Sequence, residues 1–546
     1  MVTKKPRIVI IGAGMAGLTA ANKLYKSGVK KGAFELCIVE GGNRIGGRIK
    51  SCEFGGDRIE MGATWIHGIG GSPVYKIAQE INSLESEQPW ECMDGFLDDP
   101  ITIAENGYVL NPSLVDPISN LFNNLMDFAQ GKNKSIVDDS IIKNGKEILS
   151  VGSFLKKGLE SYWSSSTHNN EEESGEWKRK SLEESIFAMH ENIQRTYTAA
   201  NDLHNLDYLA ESEYVMFPGE EITIARGYSS IIESLASVLP LGLIQLGKKV
   251  TSIEWQPAAE SCVMGNKQYG GGGGGSCRPV KIHFLDGTSI SADHVIVTVS
   301  LGVLKAGISS NNINDSGVFK FSPPLPNYKI EAISRLGYGV VNKLFMKLSP
   351  DFDLERFPFL QMVFHKSDDQ AKNPKIPWWI RKTAFVSPVY ERSRVLLSWF
   401  AGEEALELEA LADEVILDKV SSTISSFLSH KKQNGEINKM KNASSVKFEK
   451  VLKSGWASDP LFRGSYSYIA VGSSIGDIDS LSEPLPNTKV VVDTTAIGGS
   501  QQPLLLQILF AGEATHRSHY STTHGAYFSG LREANRLLQH YHWIDV

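Results

Sequence analysis

The N-terminal part of the chain contains two apolar runs separated by one amphipathic stretch. The apolar run Arg7–Ile11 predicts a buried strand, and after a glycine-rich turn apolar residues recur at helical spacing as far as Lys26. A second apolar run predicts a strand over Phe34–Glu40. Strand, helix and strand in this order predict a βαβ unit, the opening of a parallel sheet.

The rest of the chain shows the same two periodicities. Helical spacing predicts further helices over Ser72–Ile81, Pro117–Gln130, Ser181–Arg195, Ser229–Val238, Glu403–Ser426 and Gly525–His540. Short apolar or alternating runs predict strands over Lys249–Trp255, Val280–Phe284, His294–Val299, Leu344–Leu348, Leu396–Phe400 and Gln507–Ala511. Polar or glycine-rich composition predicts loops over Ser164–Gly175, Gly270–Gly275 and His430–Ser445. The mixture predicts an α/β domain that carries an α+β insertion.

The composition is that of a soluble globular protein. The chain has 546 residues, 41% of them hydrophobic and 21% charged, and this length predicts two interleaved domains or one large α/β unit. No apolar run reaches the length of a membrane span, and the N-terminus leads directly into the first strand, so we expect neither a membrane helix nor a signal peptide. Five cysteines without a CxxC spacing predict a reducing compartment, the cytosol by default, and no metal cluster.

Charge is distributed unevenly along the chain. The formal net charge is -7, which weighs against nucleic acid as a ligand, because a phosphate-binding surface needs a basic excess. The segment Ile77–Gly131 contains ten acidic residues and no Lys, Arg or His. Two interpretations remain open: a solvated surface, or an acidic funnel that concentrates a polycationic ligand by long-range attraction.

Glycine turns after the first two strands predict a dinucleotide site. A GxGxxG sequence opens the first helix, where backbone N–H groups and the helix N-terminus can meet a pyrophosphate. An acid that binds ribose is expected at the end of the second strand, and a second glycine turn with a cation follows it. This pattern predicts a Rossmann-like domain with cofactor contacts from Gly12, Ala13, Gly14, Met15, Ala16, Gly17, Glu40, Gly47 and Arg48.

Four further blocks resemble those of the flavin-containing amine oxidases. In chain order they are GATWIHG from Gly62 to Gly68, GYGVVNK from Gly337 to Lys343, WASDP through RGSYS from Trp456 to Ser467, and FAGEAT through HGA from Phe510 to Ala526. The blocks run through most of the chain. The string Thr64–Gly68 and the run STTHGA at 521–526 are most similar to spermine oxidases and to the cytosolic plant polyamine oxidases that act on spermine or thermospermine.

The resemblance implies an α/β fold of the amine oxidase type, in which a Rossmann-like FAD-binding domain is interleaved with an α+β substrate-binding domain. The FAD-binding parts are expected at 1–85, 223–305 and 451–546, and the substrate-binding parts at 86–222 and 306–450. FAD is expected to be non-covalent, because the turn 463–466 lacks the cysteine that tethers the flavin of monoamine oxidases. Further cofactor contacts are expected from Gly62, Ala63, Thr64, Trp65, Val250, Trp456, Gly512, Glu513, Thr522 and Thr523.

The same blocks supply candidate catalytic and substrate-binding residues. Lys343 would otherwise be a surface lysine, but the resemblance implies a buried lysine that holds a water against the flavin. His67 is expected to hydrogen-bond a substrate amine, with a backbone-bonded structural histidine as the alternative. Trp65 and Tyr466 are expected to flank the carbon chain and to lower the pKa of the substrate amine by desolvation. Weaker substrate-binding candidates are Glu213, which a solvated loop explains equally well, Ser521, Thr522 and Thr523.

Together these residues predict an FAD-dependent oxidase of polyamines with oxygen as the acceptor. Spermine, thermospermine, spermidine or an acetylated form would be cleaved at a secondary amine to a shorter amine, an aminoaldehyde and hydrogen peroxide. Thr523 stands where monoamine oxidases place a tyrosine, so their aromatic sandwich is half missing. Alternatives are an oxidase of monoamines or amino acids, a histone-lysine demethylase, or a non-catalytic binding protein with a dinucleotide fold. We expect a monomer with no nucleic-acid or membrane partner.

Overall fold

A computed structural model describes most of the chain. It shows a molecule built on two large sheets, one parallel and one mixed, with helices packed around each. The described residues are 5–85, 100–132, 149–165, 173–174, 177–256, 278–309, 317–352, 357–365, 376–391, 393–429, 446–486 and 506–544.

A five-stranded parallel sheet contains the first strand of the chain. Successive side chains point to opposite faces, so Ile8 and Ile10 join one core cluster while Val9 and Ile11 join another. Burial on both faces explains the uninterrupted apolar run. The strand order is Ile508–Phe510, His294–Val297, Arg7–Ile11, Glu35–Val39 and Ile244–Gln245. The face with Ile8 is covered by the helices Met15–Ser27, Ser229–Ser237 and Thr523–His540.

The face with Val9 packs on a four-stranded sheet. Val250 and Val280 of that sheet share a core cluster with Val9. Its strand order is Ser289–Ala292, Val280–Phe284, Val250–Glu254 and Lys320–Ser322. The same cluster takes in residues of the helices Leu301–Ser309, Asn327–Arg335 and Ile475–Ser482.

A seven-stranded mixed sheet forms the second large layer. Its strand Val341–Leu348 is buried along most of its length, and it carries two buried polar residues, Asn342 and Lys343, among apolar ones. The strand order is Phe448–Lys453, Val341–Leu348, Val395–Ala401, Val386–Pro388, Leu360–Val363, Ile101–Ala104 and Tyr108–Val109. The helices Glu403–Ala410 and Asp413–Leu428 share its main core cluster.

A group of three helices packs together beside this sheet and forms a core cluster of its own. These helices are Pro112–Ala129, Val151–Ser165 and Arg179–Thr198. A further short helix spans Pro73–Glu80. Three small antiparallel pairs complete the described elements: Ser51–Phe54 with Asp57–Glu60, Gly337–Gly339 with Tyr466–Tyr468, and Glu173–Ser174 with Trp177–Lys178.

The predicted βαβ opening is confirmed, but one long helix is not. The helix predicted over Glu403–Ser426 is two helices, because Leu411 and Ala412 adopt extended backbone angles between them. Asp413 and Glu414 then favour a new helix start, since acids in a first turn interact well with the helix dipole. The loop predicted over Ser164–Gly175 is also partly wrong, because Ser164 and Ser165 end a helix and Glu173–Ser174 pairs with another strand.

The other two predicted loops, Gly270–Gly275 and His430–Ser445, lie outside the described residues. In the described part of the chain, no helix combines the length and apolar character needed to cross a bilayer. The division of the chain into cofactor-binding and substrate-binding parts stays a prediction.

Candidate active site

Glycines at the first turn bring the helix Met15–Ser27 close to the sheet. Gly12 has a φ of +106°, in the region that favours glycine, and a side chain at Gly17 would place its Cβ 2.0 Å from the Gly12 carbonyl oxygen. Gly14 precedes the helix, and no side chain caps the helix N-terminus there. The first turn of the helix therefore offers its N–H groups and its positive dipole end to an anion.

Glu40 ties the first turn to the second strand. Its carboxylate accepts the N–H of Ala13 at 2.8 Å and the N–H of Gly42 at 2.7 Å. The second glycine turn lies against the first, since the N–H of Gly46 donates to the Ala13 carbonyl at 2.8 Å. Arg44 holds that second turn by donating to the carbonyls of Ile45, Gly47 and Ile49. Glu40 and the two glycine turns thus form one rigid unit, the glycine cradle.

Arg48 and Glu513 form an ion pair next to this cradle. Arg48 Nη1 lies 2.8 Å from Glu513 Oε1 and also donates to the Ser465 carbonyl at 2.7 Å. The other carboxylate oxygen of Glu513 accepts from the hydroxyl of Ser467 at 2.6 Å and from the N–H of Ser521 at 3.1 Å. Arg48 is therefore not a free cation, because Glu513 neutralises it.

Lys343 is buried and fully hydrogen-bonded. Its Nζ donates to the carbonyls of Glu60 and Gly62, at 2.6 Å and 2.7 Å, and to the hydroxyl of Thr64. An ammonium group has three N–H bonds, so these acceptors use all of them. A water held by Lys343, as the family resemblance implies, would have to share one of these contacts.

Glu60 is the last residue of the strand Asp57–Glu60 and lies next to Lys343. Its carboxylate accepts the N–H of Tyr228 at 2.7 Å and the hydroxyl of Ser51 at 2.8 Å. Burial raises the pKa of Glu60 to about 7 despite these donors, and burial lowers the pKa of Lys343 to about 7 despite the nearby carboxylate. Burial therefore disfavours the charged form of both side chains, while the charge of each favours the charge of the other.

Aromatic side chains form a wall beside Lys343. The ring centroid of Trp399 lies 4.4 Å from Nζ of Lys343, within the range of a cation–π contact. Trp456 is buried, and it lines the same cavity as Trp65 and Tyr466. A wall of this kind excludes water and disfavours the charged form of an amine beside it.

The hydroxyl groups predicted to bind substrate are already engaged within the protein. The hydroxyl of Thr523 lies 2.6 Å from the phenol oxygen of Tyr228. Thr522 donates to the His519 carbonyl at 2.7 Å, and the hydroxyl of Ser521 donates to the Ser467 carbonyl. The three residues line the cavity, and the Thr522 hydroxyl also accepts the N–H of Gly525 at 3.1 Å, which caps the helix Thr523–His540.

Carboxylates occupy another part of the cavity wall. Nδ1 of His67 lies 3.0 Å from the carboxylate of Glu221. Glu211 is 7% exposed, and burial raises its pKa to about 7. Glu213, in contrast, does not line the cavity; it lies 3.7 Å from Arg517 near the surface. The geometry therefore favours Glu211 over Glu213 as a partner for a cation, while the carboxylate of Glu221 is already engaged with His67.

The acidic residues of the segment Ile77–Gly131 lie in different environments. Asp127 lines the cavity, where its carboxylate lies 3.7 Å from Lys132, whereas Glu105 is buried against Arg381 at 2.5 Å. The acids Glu87, Glu91, Asp94, Asp98 and Asp99 lie outside the described residues. Both interpretations of the segment therefore stay open for those acids.

One cavity of about 1240 Å³ connects the glycine cradle with the aromatic wall. Its uncapped helix N-terminus suits a diphosphate, and Glu40 suits a ribose, so the residues fit FAD. Three predicted residues do not line it: Ala13, Gly17 and Glu213. Those that do are Gly12, Gly14, Met15, Ala16, Glu40, Gly47, Arg48, Gly62, Ala63, Thr64, Trp65, His67, Val250, Lys343, Trp456, Tyr466, Gly512, Glu513, Ser521, Thr522 and Thr523.

Sequence reasoning missed several residues of the wall. Glu211 and Glu221 fall in an acid-rich stretch around Glu213. The stretch indicates that a carboxylate contributes to the site, but it does not identify which residue lines the cavity. Trp399 gave a weaker signal, because its position opposite Lys343 depends on the pairing of two strands. Glu60 lies two residues before the first family block, yet its carboxylate accepts from the N–H of Tyr228, far along the chain.

Comparison with known proteins agrees with this geometry. The family model described as flavin containing amine oxidoreductase matches residues 15–538. A protein of Arabidopsis thaliana named probable polyamine oxidase 5 is 54% identical, over 98% of this chain and 99% of its own length. Polyamine oxidase 1 of Oryza sativa subsp. japonica is 42% identical, over 99% and 98%. The human peroxisomal N(1)-acetyl-spermine/spermidine oxidase is 32% identical, over 98% and 95%.

The family and the cradle agree on the cofactor and on the class of reaction. The protein is a flavin-dependent oxidoreductase whose cofactor is FAD. The expected non-covalent binding agrees with the turn at 463–466, which contains no cysteine. The chain belongs to the family of flavin-containing amine oxidoreductases.

Proposed function

We propose that this enzyme oxidises polyamines at a secondary amine. Spermine and thermospermine are the preferred substrates in this proposal, with spermidine or acetylated forms as further candidates. Loss of a hydride equivalent and a proton converts the amine to an imine, and water then cleaves the imine to an aminoaldehyde and a shorter amine. Oxygen receives the two electrons and two protons and leaves as hydrogen peroxide.

The observation that carries the proposal is the set of carboxylates on the wall of an aromatic cavity. Glu211 and Asp127 line it, as does Glu221 beside His67, and Lys132 lies 3.7 Å from Asp127. A long polyamine has several ammonium groups, which carboxylates attract, and apolar methylene segments, which aromatic rings cover. A short monoamine would use only one of these features. The names of the three relatives support the same substrate class.

The residues around Lys343 suit the reacting end of such a substrate. When bound, FAD supplies the acceptor for the hydride equivalent. Trp65, Trp399 and Tyr466 exclude water and favour the neutral amine that the oxidation requires. His67 offers a ring nitrogen to an amine, while Lys343 keeps Gly62 and Thr64 fixed through its hydrogen bonds. In this proposal the carboxylates of the cavity wall bind the distal ammonium groups, and the residues around Lys343 orient the reacting amine.

A series of amines of different length tests the proposal. We expect kcat/KM to fall in the order tetraamine, triamine, diamine, with benzylamine near zero, in an assay of hydrogen peroxide and of anaerobic flavin bleaching. Raising salt to about 0.5 M should weaken tetraamine turnover, because screening shortens the reach of the carboxylates. Benzylamine turnover that rivals that of spermine would refute the assignment. Cytosolic location and a monomeric state stay predictions, which fractionation and gel filtration would check.

A further inference from the structure

His67 and Glu221 are brought together by the backbone. The N–H of Ile66 donates to the Ile222 carbonyl at 2.8 Å, and the N–H of Ile222 donates to the Ile66 carbonyl at 3.3 Å. This isolated antiparallel bridge places residue 67 opposite residue 221. The 3.0 Å contact between the His67 ring and the Glu221 carboxylate therefore follows from backbone register, although both side chains are partly exposed on the cavity wall.

The contact determines which ring nitrogen of His67 carries a proton. A carboxylate only accepts hydrogen bonds, so Nδ1 of His67 must be the donor. In the neutral ring Nε2 is then an acceptor, available to the N–H of a substrate amine. The hydrogen bond from His67 lowers the pKa of Glu221, which keeps this carboxylate ionised. The acid of a Ser-His-Asp triad fixes its histidine in the same way.

We propose that Glu221 is a positioning residue that holds His67 in the Nδ1–H tautomer and leaves Nε2 for the substrate amine. The proposal rests on the proposed function, because it presupposes an amine substrate beside His67. Titratable groups from other elements also face the pair. Burial and the nearby His67 lower the pKa of His524, and burial and the charge of Glu221 raise the pKa values of Tyr197 and Tyr214. Besides His67, Lys132 contributes to lowering the pKa of Glu221.

A double-mutant cycle tests whether Glu221 acts through His67. We expect Glu221→Gln to lower kcat/KM for spermine by about 10-fold, and Glu221→Asp to restore part of the loss. In a His67→Gln background, Glu221→Gln should change kcat/KM by less than about 2-fold. The control is Glu220→Gln, which removes the same charge from the neighbouring exposed residue and should stay within about 2-fold of the wild type.

Two kinetic results would overturn the proposal. One is an equal loss from Glu221→Gln in both backgrounds, which would make Glu221 a direct substrate ligand. The other is an equal loss of kcat/KM from Glu220→Gln, which would show that the effect comes from the loss of a negative charge and not from the contact with His67. Circular dichroism and flavin content, measured on each variant, confirm that the compared proteins are folded and loaded.

The tautomer of His67 gives a readout that needs no catalysis. In enzyme labelled with 15N-histidine, the signal of His67 is identified by its loss in His67→Gln. At alkaline pH, where imidazole is neutral, we expect the Nδ1–H form in the wild type and the Nε2–H form in Glu221→Gln. An Nε2–H form in the wild type would overturn the positioning role. A protein that oxidises no polyamine but keeps the tautomer that depends on Glu221 would refute the proposed function and support the positioning of His67.

Discussion

Replacement of Lys343 by methionine tests the centre of the site most directly. The variant keeps the approximate length of the side chain but removes the donor to the carbonyls of Glu60 and Gly62. A buried acceptor left without a donor costs about 1–3 kcal/mol, and removal of an unfavourably buried charge offsets part of that loss. We therefore expect a fall of roughly 1–3 kcal/mol in the free energy of unfolding. If Lys343 also assists the redox step, flavin reduction should slow at least about 10-fold, equivalent to about 1.4 kcal/mol of barrier.

Anaerobic stopped-flow with saturating spermine measures this step separately from the reaction with oxygen. The matched control is Lys347→Met, because Lys347 lies on the same strand and its Nζ donates to the carbonyl of Gly55 at the surface. A Lys343 variant that binds FAD and is reduced at the wild-type rate would exclude Lys343 from the mechanism. A variant that folds without FAD would mark Lys343 as a structural support of the cradle.

Three further predictions follow from the same contacts. Acid precipitation should release all flavin from the yellow protein, whereas colour that stays on the precipitate would contradict non-covalent binding. Burial raises the pKa of Glu211 from 4.5 to about 7, so ionisation disfavours the folded state. Between about pH 4.5 and 7 the wild type should lose up to about 3 kcal/mol relative to Glu211→Gln in pH-dependent urea unfolding, and equal curves would refute this. Glu105→Ala removes the carboxylate that lies 2.5 Å from the buried guanidinium of Arg381 and should cost about 3–5 kcal/mol in urea unfolding, while the exposed control Glu85→Ala should cost little.

The sequence predicted those parts of the fold whose signal is local. The strand Arg7–Ile11 has the bounds predicted for it, because burial on both faces leaves an unbroken apolar run between polar ends. The helix Thr523–His540 likewise shows clear periodicity and begins within two residues of its predicted start. The strands Leu360–Val363 and Val386–Pro388 were not predicted, since such short runs become strands only when neighbouring strands pair with them.

The same distinction applies to the site. The glycine cradle was predicted because its motif is contiguous, and Gly12 and Gly17 have local steric reasons. The partners of Lys343 were not, because Glu60 and Gly62 lie 283 and 281 residues away in the chain. The contact of His67 with Glu221 spans 154 residues and depends on a single bridge between two loops. A pattern within one segment contains no information about such pairs.

The buried carboxylates of the described residues differ in how their charge is matched. Five of them are paired with arginine at 2.5–2.8 Å: Glu105 with Arg381, Glu404 with Arg195, Asp477 with Arg335, Glu513 with Arg48, and Glu533 with Arg532. Among the described residues, Glu211 forms no ion pair with arginine: burial raises its pKa, as does the charge of Asp207, against a hydrogen bond with Gln130 and the charge of Lys132. A buried acid without an ion pair is unfavourable once ionised, which is why its pKa is raised. Because Glu211 lines the cavity, a substrate ammonium group could supply the missing cation and thereby favour the ionised acid. Polyamine binding should then release a proton near pH 7, and it is this coupling that separates Glu211 from acids that only stabilise the fold.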